Sequence, residues 1–254
     1  MRTAIITIAG ISSRFNEGIP EEEKVLKAIY SDEAPEDTLL YHLLLKCAQM
    51  DRIILVGGYR FDELKRFVAD SLKALFPQIV LIENQHYEDL ASGYSLYLGI
   101  QEAVKAGSDE VLFVEGDLDV DAASFAAVAG SQKSVLTYTH EPIYANKAVV
   151  LYQDAKGKYK YAFNSAHGLL TIDEPFYSIL NSGQIWKFRD IEALRRANDA
   201  FFLEEKCGTN LRIIQRYIDS VASEAMELHC LKRWVNCNTR EDYSRIRNYW
   251  RTEL

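Results

Sequence analysis

Four stretches of the chain hold residue types that could do chemistry on a phosphorylated ligand. The first is Ala9-Gly10-Ile11-Ser12-Ser13-Arg14, a run of small residues closed by an arginine, directly after an apolar stretch. Small residues let backbone N–H groups approach phosphate oxygens, and a guanidinium adds a fixed charge with several donors. Lys24, in Glu23-Lys24-Val25-Leu26, supplies a second cation, with Lys27 in reserve should Lys24 point away. The stretch is neither a Gly-Lys-Ser/Thr phosphate loop nor a three-glycine dinucleotide fingerprint. Taken alone, it reads equally well as a plain strand-to-loop turn with both cations in solvent.

The second stretch is Glu115-Gly116-Asp117-Leu118-Asp119-Val120-Asp121, with acids at alternating positions after a very apolar run. Such carboxylates repel one another unless something offsets their charge. A Mg²⁺ ion held by one or two of them and by phosphate oxygens would do so, and Asp117 and Asp119 are the candidates. The competing reading is a solvated acidic turn in which Asp121 caps a helix. In the third stretch, Trp234 to Tyr243, Asn238 or Thr239 can cap a last helix and Glu241 suits its first turn. In the fourth, Glu83 to Leu96, the small residues Ala91, Ser92 and Gly93 could leave room for a flat base, or could simply begin a helix. His86 reads as a surface histidine.

The elements that must position these residues follow from hydrophobic patterning. Ala4 to Ile8, Arg52 to Val56, Ile79 to Ile82 and Glu110 to Val114 are short apolar, β-rich runs. Between them lie helical patterns over Leu39 to Met50, over Phe61, Leu64, Val68, Leu72 and Leu75, and over Tyr94 to Lys105. Strand-helix alternation of this kind predicts a parallel sheet covered on both faces, with ligands at the carboxyl ends of its strands. Those ends are Ala9-Gly10, Gly57-Gly58, Glu83-Asn84 and Glu115-Gly116-Asp117, where the polar residues collect. The second half predicts an antiparallel extension, with strands near Ser134 to Tyr138, Ala148 to Tyr152, Tyr159 to Phe163 and Gly168 to Ile172. Helices are expected over Ile191 to Asn198, Asn210 to Ala222 and Asp242 to Trp250.

Composition narrows the class. The chain has 254 residues, 48% of them hydrophobic, which suits one domain with a full core. A single unit with two lobes is expected over 1–254, divided at about 1–133 and about 134–254. A net charge of -8 argues against a nucleic-acid partner, though not against a nucleotide. Cys47, Cys207, Cys230 and Cys237 show no zinc spacing and read as free thiols of a cytoplasmic protein. No apolar run reaches membrane-spanning length, and the opening Met1 to Ile8 reads as a buried strand rather than a signal peptide.

Taken together and in this order, the segments resemble the nucleotidyltransferase branch of the GT-A fold, a Rossmann-like α/β fold with a mixed, mostly parallel sheet and a small antiparallel substrate lobe. That family opens with a strand, a glycine-containing loop ending in Ser/Thr-Arg and a Pro-Lys-x-Leu element. It carries an acid after a mid-chain apolar strand, a Ser-Gly pair in the substrate lobe and a late Asn/Asp-Thr-x-Glu-Asp element. Here these are Ala9 to Arg14, Glu23 to Leu26, Asp117, Ser182-Gly183 and Asn238-Thr239-Arg240-Glu241-Asp242. The stretch Asn84 to Leu98 is most similar to bacterial phosphocholine cytidylyltransferases. Ser12 departs from the usual glycine, and Glu23 from the usual proline.

The resemblance implies transfer of a nucleoside monophosphate, CMP from CTP first among them, to phosphocholine, another alcohol phosphate or a sugar phosphate, with release of pyrophosphate. It implies Arg14 and Lys24 on the triphosphate, and Ala9, Gly10, Ser12, Ser13, Ala91, Ser92, Gly93 and Asp117 around the nucleotide. It implies Mg²⁺ on Asp117 and Asn238, with Asp119 as a further ligand, and Asn181, Ser182, Gly183 and Trp186 at the acceptor. Tyr144, Glu174 and Tyr177 lie in the same lobe, and a homodimer is compatible with the pattern. Two other functions stay open. Asp117-Leu118-Asp119 would serve a GT-A glycosyltransferase, and the Ser12 and Glu23 departures would suit a nucleotide-binding protein without turnover.

Overall fold

The computed structural model describes residues 1–145, 149–166 and 169–252. Its first half follows the strand-helix alternation: β1 (Arg2–Ile8), α1 (Leu39–Lys46), β2 (Arg52–Gly57), α2 (Phe61–Phe67), β3 (Ile79–Glu83), α3 (Ser92–Lys105) and β4 (Glu110–Glu115). Then come β5 (Leu118–Val120), α4 (Ala122–Gly130), β6 (Ser134–Thr139), β7 (Val150–Asp154), β8 (Tyr159–Tyr161), β9 (Asn164–Ala166), β10 (Leu169–Thr171) and the long β11 (Phe176–Phe188). The chain closes with α5 (Ile191–Glu204), α6 (Asn210–Ser220), β12 (Met226–Cys230), β13 (Trp234–Asn236) and α7 (Arg240–Thr252).

The main sheet runs β12-β6-β11-β4-β1-β2-β3, with β7 joining β11 and β8 joining β7. β1 pairs in parallel with β2 on one side and β4 on the other. Ala4, Ile5 and Ile6 are completely buried because both faces of this central strand are covered. On one face Ala4, Ile6 and Ile8 meet side chains of α1, α2 and α4; on the other Ile5 meets those of α3, α5 and α6. The chain goes from β1 to β2 and β3 on one side, then crosses to β4 on the other. That reversal opens a crevice at the strands' carboxyl ends, where ligands bind in open α/β sheets.

The sequence-based elements hold with shifted ends. α1 stops at Lys46 rather than Met50, because the chain must turn for Asp51 N to meet Arg2 O at 3.0 Å. The second helical pattern loses Leu75, which is exposed beyond a wide turn over Val68–Leu72, while Leu64, Val68 and Leu72 are buried. The antiparallel extension is present in β6 to β8, β10 and β11; Ala148 and Gly168, named as strand starts, lie outside the described residues. β12 carried no sequence signal strong enough to be placed, while α4 is the helix start that the competing reading of the acidic stretch named. Asp121 caps α4, its side chain accepting from Ser124 N at 2.8 Å. All four cysteines are free thiols, and among the described residues no helix is long and apolar enough to cross a membrane.

The C-terminal α7 packs back onto the N-terminal half. Arg247 pairs with Asp32, Glu33 and Asp37, and Tyr243 OH donates to Asp37 O at 3.1 Å. His42 of α1 stacks on Trp250, with ring centroids 3.6 Å apart and planes 11° apart. Burial, with the Lys46 charge adding to it, lowers His42 from 6.5 to about 4. The unfolded chain therefore takes up this proton between pH 6.5 and 4 while the folded chain does not. Stability from this group is complete above pH 6.5 and is lost as pH falls toward 4. We expect wild type to lose on the order of 2 kcal/mol more than His42→Phe across that window, after allowing for partial solvent access. Denaturant unfolding of both proteins at each pH measures it.

Candidate functional site

The crevice at the carboxyl ends of β1 and β4 is a cleft of about 610 Å³. Its floor exists because β1 and β4 run on in contact past their last paired residues. Gly116 N donates to Thr7 O at 3.1 Å, and a Cβ on Gly116 would lie 2.1 Å from Ile8 Cγ2 and 2.8 Å from Thr7 O. Only glycine fits there, and the close approach sets Asp117 beside the loop that leaves β1.

That loop begins as expected, with Ala9, Gly10, Ile11 and Ser12 lining the cleft. Ser12 has φ +55°, the left-handed region that costs a residue with a side chain about 1–2 kcal/mol. The site therefore keeps a conformation that suits the usual glycine. Ser12 offsets part of the cost through its own bonds: Oγ accepts from Lys27 N at 3.3 Å, and its C=O accepts from Asn16 N at 3.0 Å. Buried Asn16 then ties the loop's return, donating to Val25 O at 2.8 Å and accepting from Val25 N at 3.1 Å.

This tie delivers Lys27 rather than Lys24 to the cleft. Lys27 Nζ lies 3.0 Å from Asp117 Oδ2, with both side chains largely buried. Lys24 lies outside, its ammonium paired with Glu21 at 2.5 Å and its C=O accepting from Arg60. A signal for Lys27 was present in the sequence, since Lys27-Ala28-Ile29 repeats the lysine-x-aliphatic spacing of Lys24-Val25-Leu26. Arg14 and Ser13 are exposed and do not line the cleft, and among the described residues Arg14 has no partner.

Ala91 and Ser92 line the opposite wall with Asn84, Tyr87 and Ser95. Asn84 is buried and fixed by donating to Ser95 Oγ at 2.9 Å and accepting from His86 N at 2.8 Å. Gly93 does not reach the cleft. A Cβ there would lie 2.5 Å from both Gly208 O and Phe201 Cζ, so its role is close packing of α3 against α5 and the loop before α6. His86 is half exposed, its Nδ1 3.5 Å from Asp89.

Glu115 was not nominated by sequence, yet it faces the cleft. Its Oε1 accepts from Asn210 Nδ2 at 2.7 Å and its Oε2 from Gln184 Nε2 at 2.8 Å. Burial, reinforced by the Asp117 carboxylate, pushes Glu115 up to about 7. Gln184 reaches it because β11 changes register between Ser182 and Trp186, with Gln184 at φ +55°.

The acceptor residues expected on this strand lie in and around that irregularity, buried. Trp186 is completely buried, stacked on Phe113 and donating Nε1–H to Tyr161 OH at 2.6 Å. Ser182 is buried, its Oγ accepting from Gln184 N at 3.2 Å, and Asn181 is buried in the ladder with β7. Gly183 lets Leu231 and Thr137 approach within 2.7 Å of where a Cβ would stand. None of the four lines the cleft. Glu174 is held by Lys160 and Tyr152, and Tyr144 and Tyr177 are exposed away from the cleft lining.

The metal expectations divide. Asp119 is buried between Lys46, 3.5 Å away, and Arg233, so its charge is already balanced by two cations. Asn238 does not line the cleft, and its backbone N–H donates to Asp242 Oδ2 at 3.0 Å at the start of α7. Two residues earlier, Asn236 lies opposite Leu118 in the β5–β13 ladder, and Cys237 N donates to Asp117 O at 2.7 Å. Asp117 Oδ1 and Asn236 Oδ1 are both buried without a hydrogen-bond partner. Two orphaned oxygens on adjoining segments fit a divalent cation. Among the described residues no group of three or more His, Cys, Asp and Glu side chains could cage one.

The close contact at Gly116 gives a direct test of the floor. Gly116→Ala is expected to lower the unfolding free energy by about 1–3 kcal/mol through overpacking. Gly10→Ala, where a Cβ meets nothing within 4 Å, should stay within about 0.5 kcal/mol of wild type. Denaturant melts of the two variants separate these outcomes.

A family model described as Domain of unknown function (DUF6564) matches residues 23–250. No curated protein matches the chain. Among solved structures, the inositol-1-phosphate CTP transferase from T. maritima is similar with a TM-score of 0.69 at 16% identity, covering 98% of this chain and 94% of that one. The CTP:phosphocholine cytidylyltransferase from Streptococcus pneumoniae gives 0.67 at 14% identity, over 98% and 99% of the two chains. A UDP-glucose pyrophosphorylase complexed with UDP-glucose gives 0.69 at 10% identity, over 100% of both. The expected GT-A-type fold is therefore present over the whole chain.

Proposed function

The chain belongs to the family described as Domain of unknown function (DUF6564), and we propose that it is a nucleotidyltransferase, moving a nucleoside monophosphate onto a small phosphorylated alcohol or sugar. The observation that carries this reading is the Lys27–Asp117 pair set between the Ser12 loop and the Ala91-Ser92 wall. Cation, carboxylate, open backbone loop and small-residue wall stand in the order a triphosphate, ribose and base require.

In this mechanism an oxygen of the acceptor phosphate attacks the α-phosphorus, a new P–O bond forms, and the bond to the β-phosphate oxygen breaks. Pyrophosphate leaves with that electron pair. No covalent enzyme intermediate is needed, so the chain's task is positioning and charge stabilisation. Lys27 faces the phosphates and takes up charge growing on the leaving group, while Arg14, free at the loop, reaches the triphosphate tail. Gly10 and Ser12 offer backbone N–H groups. Asn84 and Ser92 border the base, for which cytosine is the choice on the likeness of Asn84 to Leu98. Asp117 and Asn236 would hold Mg²⁺, and the chemistry a bound magnesium ion supplies is neutralisation of phosphate charge.

Asp119 is locked by Lys46 and Arg233, so the Asp-x-Asp arrangement a glycosyltransferase needs is not free, and nucleotidyl transfer is preferred. A cytosolic setting is part of the proposal, in keeping with four free thiols and a nucleotide substrate.

Pyrophosphate release from purified protein, Mg²⁺, each nucleoside triphosphate and a panel of alcohol and sugar phosphates tests the reading. Release with CTP is expected, and Lys27→Ala should lower kcat/KM by roughly 10²–10³-fold. Lys24→Ala should change it by less than about threefold, as a surface ion pair would. Equal loss in both variants, or no nucleotide binding by folded wild type, would sink the assignment.

A further inference from the structure

Glu115 is the cleft residue that nucleotidyl transfer leaves without a task. It stands at the end of β4, two residues before Asp117. Both its carboxylate oxygens are held, but only by uncharged amides: Asn210 from the start of α6 and Gln184 from the irregular stretch of β11. Gln184 Oε1 in turn accepts from Asn236 Nδ2 at 3.4 Å. The four side chains form a row of fixed hydrogen bonds from α6 across to β13, passing beside Asp117.

The row has a direction. Amide N–H groups point at Glu115, so its plane is fixed and each oxygen keeps a second lone pair. The unpartnered oxygens of Asp117 and Asn236 are the pair that would hold Mg²⁺, so Glu115 is the acceptor left over for an uncharged ligand group. The nearest cation, Lys27, is bonded to Asp117. A carboxylate half-buried beside a second carboxylate is costly unless donors complete it. Purely structural packing would be served as well by a neutral side chain. The amide donors of Asn210 and Gln184 are turned onto Glu115, and what the carboxylate still offers a ligand is acceptor lone pairs.

A ligand group that matches must therefore bring hydrogen-bond donors, as the hydroxyls of a sugar or polyol do. A quaternary ammonium brings none and is recognised by aromatic faces. The sequence nominated Trp186 for that work, but Trp186 is inside the core. Tyr87, the one aromatic residue lining the cleft among those described, belongs to the wall carrying Asn84.

We propose that Glu115 reads hydroxyl groups: its carboxylate accepts from the O–H of a sugar-like moiety seated between Asp117 and Asn210. The moiety is either the body of a sugar or polyol phosphate acceptor or the ribose of the nucleotide. The proposal rests on the nucleotidyl-transfer reading of the same cleft.

Calorimetric titration of the full chain with Mg²⁺ tests it. The ligands are CTP and 2′-deoxy-CTP, then glucose 1-phosphate, glycerol 3-phosphate and phosphocholine, each with and without a non-hydrolysable CTP analogue. Glu115→Gln keeps size and neutralises the acceptor; Asn210→Ala keeps the carboxylate and frees its Oε1. Wild type should bind a hydroxylated ligand, and Glu115→Gln should weaken it by about tenfold or more. The counterpart lacking the hydroxyl should change by less than about twofold, the scatter of an uninvolved site. Loss confined to CTP against 2′-deoxy-CTP assigns the ribose; loss confined to glucose 1-phosphate or glycerol 3-phosphate against phosphocholine assigns the acceptor. Equal effects on both members of each pair, no effect at all, or phosphocholine bound most tightly through Glu115 overturns the proposal. Should Glu115→Gln fail to fold, Asn210→Ala carries the same comparison, and an unchanged preference overturns it. Nucleotide binding with no Glu115-linked hydroxyl dependence at either the ribose or the acceptor ends this proposal alone. No nucleotide binding ends the parent reading, and sugar phosphates that then show no hydroxyl-dependent binding end this one too.

Discussion

The pair between Lys27 and Asp117, 3.0 Å apart, is the interaction on which the cleft depends. Each partner reaches it by a different route. Asp117 is placed by β4, held against β1 through the contact that only glycine permits at position 116. Lys27 is placed by a long excursion from β1 that turns at Ser12, is stitched by Asn16 and returns beneath the sheet's carboxyl end. An acidic chain can hold a polyanion only if its few cations converge, and the fold brings one into the cleft itself.

Charge is otherwise managed by early neutralisation. Asp119 is balanced by Lys46 and Arg233, Glu110 by Lys187 and Arg189, and Asp37 by Arg247. Burying an unpaired charge is costly, so these acids are matched where they enter the interior. Glu115 and the second oxygen of Asp117 are the exceptions, and both stand in the cleft. A carboxylate held only by neutral amides, next to one with an unbonded oxygen, leaves room for a ligand to complete the bonding.

The C-terminal segment links the two halves of this arrangement. β13 adds Asn236 beside Asp117, and α7 then clamps the acidic 32–37 stretch through Arg247 and Arg251. Arg240 lies over Phe15 and Tyr30, in the loop that carries Arg14 to Lys27. The last helix thus braces the phosphate-facing loop from outside, so stability and site geometry are coupled through one contact surface.

Sequence alone determined the sheet's parallel core. Its strands are short apolar runs and its helices carry one buried stripe, and both periodicities are local properties of the chain. It also determined that polar residues collect at strand ends, which led to Asp117, Gly10, Ser12 and Ser92. It did not determine which of two neighbouring lysines enters the cleft, because both precede a small or aliphatic pair and the choice is made by how Asn16 anchors the loop at Val25. The family resemblance put Asn181, Ser182, Gly183 and Trp186 at the acceptor, and nothing local in the sequence reveals that this part of β11 is buried. Glu115, Gln184, Asn210 and Asn236 come from β4, β11, α6 and β13, and no local pattern joins them. Only tertiary packing decided that row, because hydrogen bonds between side chains far apart in the chain depend on where the backbone ends up rather than on which residues stand next to each other.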